Sequence, residues 1–188
     1  MNNIAIFASG AGTNAINIIK YFNNHPNLRI DSVWSNNKEA FVLQRAQTLG
    51  VQSRYFTREE FSGSDKLLLE LKHRNVKVIV LAGFLWLIPP EFIDTFSIIN
   101  IHPALLPSYG GKGMYGLHVH ESVIRNKEKI SGITIHLVNK EYDKGEILLQ
   151  IKCPVFPDDN PNSLAARIHE LEYQYFPRTI EEYIIKTL

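Results

Sequence analysis

A glycine-rich segment near the amino terminus has the residue types that bind phosphate. Residues 9–15 follow a short apolar run and precede a helical pattern, and Gly10, Gly12 and Ala15 match the G-x-G-x-x-G/A spacing. Glycines let backbone amides approach an anion, and the amino end of a helix adds partial positive charge. The alternative interpretation is a tight turn with a helix cap. Residues 35–37, directly after the second predicted strand, include no acidic residue, which favours a single phosphate over a dinucleotide.

An amide and an imidazole end a later predicted strand. Asn100 and His102 lie two residues apart, so both side chains face the same side of the sheet. An amide donor beside an imidazole can stabilise a developing oxyanion, and the imidazole can exchange a proton near neutral pH. The alternative is a buried polar pair that satisfies backbone groups of the following loop.

Asp143 lies in a predicted turn between two strands. An aspartate in such a position is typical of an exposed turn. If the turn folds over the same edge of the sheet, its carboxylate can hold the imidazolium or accept a proton from a nucleophile.

Four histidines in the second half of the sequence raise the question of a metal site. They are His102, His118, His120 and His136. Two of them are only two residues apart on a predicted helix and cannot face one ligand, and the single cysteine excludes a paired-cysteine motif. The sequence therefore predicts no metal, and His136 is interpreted as a hydrogen-bonded structural residue.

The elements that must position these residues alternate between strands and helices. Strands are predicted at residues 4–8, 28–34, 51–55, 76–82 and 97–102, and helices at 13–22, 38–49, 57–73 and 90–96. This alternation predicts a doubly wound α/β fold with a mostly parallel sheet, in which ligands bind at the carboxyl edge of the strands.

The second half of the sequence has a different pattern. A loop rich in glycine and proline is predicted at residues 103–116, a helix at 117–126, a pair of strands at 132–138 and 147–155, and a last helix that begins at Asn160-Pro161 and bends at Pro177. We expect the two strands to form an antiparallel pair.

Size and composition are those of one globular domain over residues 1–188. The chain has 188 residues, 45% of them apolar, and a formal net charge of +1. The near-neutral charge predicts no nucleic-acid partner, and the absence of a long apolar segment predicts no membrane association. Without a recognisable secretion signal, we expect a cytoplasmic protein.

Five segments, taken together, resemble the folate-dependent formyltransferases. They are Ser9-Gly10-x-Gly12-Thr13-Asn14, Ser35-Asn36, Leu81-Ala82-Gly83-Phe84, Asn100-Ile101-His102-Pro103-Ala104-Leu105-Leu106-Pro107 and Asp143-x-Gly145. The resemblance extends from about Ile4 to Pro177. Its Asn-x-His-Pro-x-Leu-Leu-Pro core is typical of the superfamily, and the glycine-rich first turn is similar to that of the glycinamide ribonucleotide branch.

This resemblance implies a Rossmann-like formyltransferase fold and a formyl transfer in purine biosynthesis. The donor would be 10-formyltetrahydrofolate, the acceptor the primary amine of glycinamide ribonucleotide, and no metal would take part. It leaves open whether the protein is a monomer or a homodimer. Residues 1–102 would bind the phosphorylated substrate, and residues 103–188 would hold the folate and catalytic half.

The resemblance also implies roles for individual residues. The catalytic residues would be Asn100, His102 and Asp143. The acceptor would be bound by Gly12, Thr13, Asn14 and, at its ribose, Glu172; the folate would be bound by Phe84, Leu85, Trp86, Leu87, Asn139 and Tyr142.

Two features depart from the family pattern. Trp86 stands where a basic residue is more common, and the loop at residues 109–116, which contains Lys112, is longer. Other functions remain open at this point: a related enzyme with another amine acceptor, a module that binds a phosphorylated metabolite without turnover, and an NAD-dependent oxidoreductase, which the missing acidic residue disfavours.

Overall fold

The computed structural model describes residues 2–188, which form two compact units. The first unit ends at Ile99, and the second unit runs from Asn100 to Leu188.

Strands and helices alternate in the first unit. Its elements are β1 (Asn2–Phe7), α1 (Thr13–Tyr21), β2 (Leu28–Ser35), α2 (Phe41–Thr48), β3 (Gln52–Tyr55), α3 (Arg58–Ser62), α4 (Lys66–His73), β4 (Val76–Leu81) and α5 (Pro90–Ile93). The division between the two units falls within the strand β5 (Ser97–His102). The second unit also contains α6 (Leu117–Arg125), β6 (Ile130–Leu137), β7 (Ile147–Pro154) and α7 (Pro161–Thr187).

The strands form one sheet in the order β3-β2-β1-β4-β5-β6-β7. Pairing is parallel between β1 and β2, β1 and β4, and β2 and β3, and the end of the sheet from β5 to β7 is antiparallel. The predicted mostly parallel α/β sheet with an antiparallel pair in the carboxyl-terminal half is thus confirmed.

The core of the first unit surrounds β1 and β4. Residues 4–7 of β1 and 78–80 of β4 have no solvent exposure, because parallel strands are covered by helices on both faces. Beside them lies a cluster of aromatic side chains whose rings contact one another: Phe7, Phe56, Phe61, Phe84, Trp86 and Phe92.

The single helix predicted over residues 57–73 is wrong, because the structure has two helices there. A capping box of Thr57 and Glu60 begins α3, but α3 ends at Ser62, with Gly63 as its C-cap. Glycine is a poor helix former, and the Ser64 hydroxyl donates to the carbonyl of Glu59, which satisfies a group at the helix end. A new helix, α4, then begins at Lys66.

The last helix begins as predicted. Asn160 caps α7 by accepting from the N–H groups of Asn162 and Ser163. The helix runs without interruption through Pro177 to Thr187. Within residues 2–188, every helix is too short or too polar to cross a lipid bilayer.

Candidate active site

The glycine-rich segment of the first unit forms a turn between β1 and α1. Gly12 precedes the first helical residue and has φ +71°, in the left-handed region that favours glycine. A Cβ atom at this position would collide with the side chain of Val42, whereas one at Gly10 would meet open space. Of the two glycines, only Gly12 therefore lies too close to a neighbouring residue to be replaced by a residue with a side chain.

The N–H groups of this turn are available to a ligand. Among residues 2–188, the N–H groups of Gly10, Ala11, Gly12 and Thr13 have no hydrogen-bond acceptor. The Thr13 side chain is exposed, while that of Asn14 is buried. The turn thus presents several unsatisfied donors at the amino end of a helix, an arrangement that attracts anions.

Side chains of the predicted folate segment at residues 84–87 alternate between the aromatic cluster and the surface. Phe84 and Trp86 contact the aromatic cluster, and the Arg58 guanidinium lies 4.6 Å from the Trp86 ring centroid. Leu85 and Leu87 point outward with 47% and 42% of their surface exposed. Their alternation leaves two apolar side chains and nearby backbone groups accessible.

A carboxylate lies between two imidazoles in the second unit. Asp143 Oδ2 is 3.7 Å from His102 Nδ1, and Asp143 Oδ1 is 3.6 Å from His136 Nε2. The N–H of Gly111 donates to Oδ2 at 2.8 Å. The Asp143 side chain is only 12% exposed, so this residue is not the exposed turn aspartate of the alternative interpretation.

The proton positions on His102 follow from its partners. His102 Nε2 lies 2.7 Å from the carbonyl oxygen of Tyr109. Because a carbonyl only accepts, the proton of the neutral ring is on Nε2, and a second proton must bind at Nδ1, which faces Asp143. Burial lowers the pKa of His102 below its ordinary value, and the charge of Asp143 partly opposes this effect.

The carboxyl group of Asp143 stays ionised. Burial alone would raise its pKa, but the adjacent imidazoles of His136 and His102 and the Gly111 N–H hold the pKa of Asp143 below its usual value. The site therefore combines a buried negative charge with a neighbouring imidazole that can accept a proton.

His136 positions the predicted catalytic amide. Its Nδ1 lies 2.8 Å from the carbonyl of Leu137 and so carries the proton, which leaves Nε2 to accept from Asn100 Nδ2 at 3.1 Å. Sequence reasoning treated His136 as a structural residue and missed this contact. A buried histidine in an otherwise apolar strand was the available signal.

Glu172 is buried on α7 and is paired within the helix. His169 Nδ1 donates to its Oε2 at 2.8 Å, and this hydrogen bond raises the pKa of His169. The charge of Glu172 also acts on His102 and His120.

The remaining predicted residues hold the turn that carries Asp143. Asn139 donates to the carbonyl of Lys144 and accepts from the N–H of Glu141, while Tyr142 is 37% exposed.

Among residues 2–188, no three histidine, cysteine, aspartate or glutamate side chains are grouped so that they could hold a metal ion.

Comparison with known proteins identifies the family. The model of the family described as formyl transferase matches residues 2–180. The chain belongs to this family. Its similarity extends to a phosphoribosylglycinamide formyltransferase of Haemophilus influenzae, with 37% identity over 96% of this chain and 86% of that protein. The corresponding enzyme of Escherichia coli is 33% identical over 95% of this chain and 85% of its own length.

A solved structure and a plant protein are also similar to this chain. A phosphoribosylglycinamide formyltransferase from Streptococcus pneumoniae superimposes with a TM-score of 0.85 and 32% identity, covering 98% of this chain and 99% of that one. The chain spans 63% of the length of the chloroplastic relative from Arabidopsis thaliana, to which it is 36% identical.

Proposed function

We propose that this protein transfers the formyl group of 10-formyltetrahydrofolate to the primary amine of glycinamide ribonucleotide. The observation that carries the proposal is the convergence of Asn100, His102 and Asp143 in the second unit of a chain that belongs to the formyl transferase family. The relatives named phosphoribosylglycinamide formyltransferase support this acceptor.

The reaction requires stabilisation of an oxyanion. The amine nitrogen attacks the formyl carbon, a C–N bond forms, and the carbonyl oxygen becomes negatively charged. One N–H of the Asn100 amide is held by His136, which leaves its second N–H to donate to that oxygen. In the proposed mechanism, the negative charge also favours protonation of His102 beside it.

A proton must then move from the attacking amine to the leaving nitrogen. Asp143 and His102 form a pair that can take this proton, because the carboxylate is ionised and faces Nδ1. Collapse of the intermediate breaks the bond between the formyl carbon and N10 of the folate. N10 receives a proton, so the products are the formamide and tetrahydrofolate.

Binding roles in this proposal follow the contacts of each unit. The unsatisfied N–H groups of Gly12 and Thr13 bind the phosphate of the acceptor, with Asn14 next to them on α1. Glu172, held by His169, binds the ribose hydroxyls. In the first unit, the proposed folate contacts are Leu85, Leu87 and the backbone of the 84–87 segment.

A formyl transfer assay tests the proposal. We expect folate-dependent formylation of glycinamide ribonucleotide by the wild-type protein, and a loss of about 10²–10⁴ in kcat for His102→Ala, the range typical of a positioned acid or base. The matched control is His118→Ala, because this histidine is exposed on α6. A wild-type protein without turnover, or a His102 variant within threefold of it, would refute the proposal.

A further inference from the structure

We propose that Arg45 is a positioning residue of the anion-binding turn and adds positive charge to the phosphate that binds there. This inference rests on the proposed function, because it concerns the phosphate of the acceptor. It is carried by the contacts of α2 with the turn, all of which lie in the first unit.

Two consecutive carbonyl groups of the turn are held by α2. Arg45 Nη1 donates to the carbonyl of Ala11 at 2.9 Å, and the N–H of Val42 donates to the carbonyl of Gly10 at 3.2 Å. The side chain of Val42 also occupies the space that a Cβ atom at Gly12 would need. The helix therefore fixes the turn by a backbone contact, a steric contact and a side-chain contact.

These bonds determine where the neighbouring N–H groups point. In a trans peptide the C=O and N–H of one unit point in opposite directions. Because the carbonyls of Gly10 and Ala11 are directed at α2, the N–H groups of Ala11 and Gly12 are directed away from it. Among residues 2–188, neither N–H has an acceptor. The Arg45 bond restricts rotation of the Ala11–Gly12 peptide and so helps to fix the direction of the Gly12 N–H.

The charge of Arg45 is not neutralised by a carboxylate. Within the described residues it makes no ion pair, and its hydrogen-bond partner is a neutral carbonyl. Arg29, Arg54 and Arg74 of the first unit differ in this respect because all three contact carboxylates, whereas the Arg58 guanidinium lies over the Trp86 ring. The guanidinium lies at the Ala11 carbonyl of the turn, so an anion bound to the turn is attracted to it across the peptide, an interaction that distance and solvent screening reduce.

Titration with inorganic phosphate, without folate or turnover, tests the inference. The amide resonance of Gly12 is followed by NMR in the wild-type protein and in Arg45→Gln, Arg45→Lys and Lys20→Gln. We expect Arg45→Gln to bind phosphate about fivefold more weakly, the effect of one partly screened charge, and Arg45→Lys to lose no more than about twofold because it retains the charge. Lys20→Gln removes an equal charge at the other end of α1 and should bind as the wild type does.

Kinetics provide a readout that a merely structural role would not move. For Arg45→Gln we expect a higher KM for glycinamide ribonucleotide and an unchanged kcat. With the dephosphorylated acceptor, the nucleoside form of glycinamide ribonucleotide, we expect the same kcat/KM as for the wild type. Equal losses for both acceptors would overturn the inference.

The titration also separates this inference from the proposed function. Wild-type affinity for phosphate in Arg45→Gln, or a fivefold loss in Arg45→Lys as well, would overturn the role of the charge and leave the proposed reaction intact. A wild-type protein that binds phosphate through Arg45 but transfers no formyl group would contradict the proposed function and support the inference.

Discussion

At the scale of single residues, the second unit uses one carboxylate to organise two imidazoles. Asp143 faces Nδ1 of His102 with one oxygen and Nε2 of His136 with the other. The outer nitrogen of each ring is bound to a backbone carbonyl, so neither ring can rotate without losing a hydrogen bond. The proton that makes His102 cationic must therefore be shared with Asp143.

The pKa of His102 tests this arrangement. In Asp143→Asn we expect that pKa to fall further below its already lowered value, since the charge that opposes the effect of burial is removed. The imidazole Cε1–H resonance, followed by NMR as a function of pH, reports the pKa directly. We also expect a fall in kcat of about 100-fold or more for this variant.

Glu121→Gln is the matched control for that measurement. It removes a negative charge from the same unit, but at an exposed position that pairs with His118. The pKa of His102 should be the same as in the wild type. An unchanged or higher pKa of His102 in Asp143→Asn would contradict the proposed pairing.

At the scale of elements, the conformation of the turn after β1 depends on the helix α2. Two elements, α1 and β2, lie between them in the chain. The left-handed conformation of Gly12 and its contact with Val42 allow no side chain at this position. The glycine spacing in the sequence predicted the turn, because strand, glycine and helix are local signals. It did not distinguish Gly12 from Gly10, because the distinction depends on a residue of α2.

Replacement of the two glycines by alanine should separate their roles. Gly12→Ala should lower the free energy of unfolding by about 2–4 kcal/mol, because it combines a strained φ with an overpacked contact. Gly10→Ala is the control and should change it by less than about 0.5 kcal/mol, since nothing lies within 4 Å of the added Cβ. Urea denaturation measures both values, and equal effects of the two substitutions would be inconsistent with the described turn.

At the scale of the whole molecule, the alternation of strands and helices and the antiparallel end of the sheet could be predicted from the sequence. Apolar periodicity and capping residues act over a few positions, so α7 begins at the predicted Asn160 cap. The contact of Asn100 with His136 joins residues 36 positions apart. Periodicity contains no information about such a pair, because it depends on how strands distant in the sequence are brought together.

Stability as a function of pH also depends on such long-range burial. His120 lies on α6 with 3% of its surface exposed, and among residues 2–188 its Nδ1 has no hydrogen-bond partner. Burial lowers the pKa of His120 to about 4, and the charge of Glu172 only partly offsets this effect. The folded protein thus holds an imidazole that resists protonation, whereas the unfolded chain binds the proton near pH 6.5.

Because the folded pKa of His120 is depressed, its contribution to stability is present above pH 6.5 and is lost as the pH falls towards about 4. The loss by pH 5 is about 2 kcal/mol. In His120→Gln this loss disappears, so the wild type should lose about 2 kcal/mol more than the variant between pH 8 and pH 5. Urea denaturation at a series of pH values measures the difference. His118→Gln, at an exposed position of the same helix, should follow the wild-type profile. Parallel profiles for the wild type and His120→Gln would mean that His120 is protonated in the folded protein as readily as in the unfolded chain.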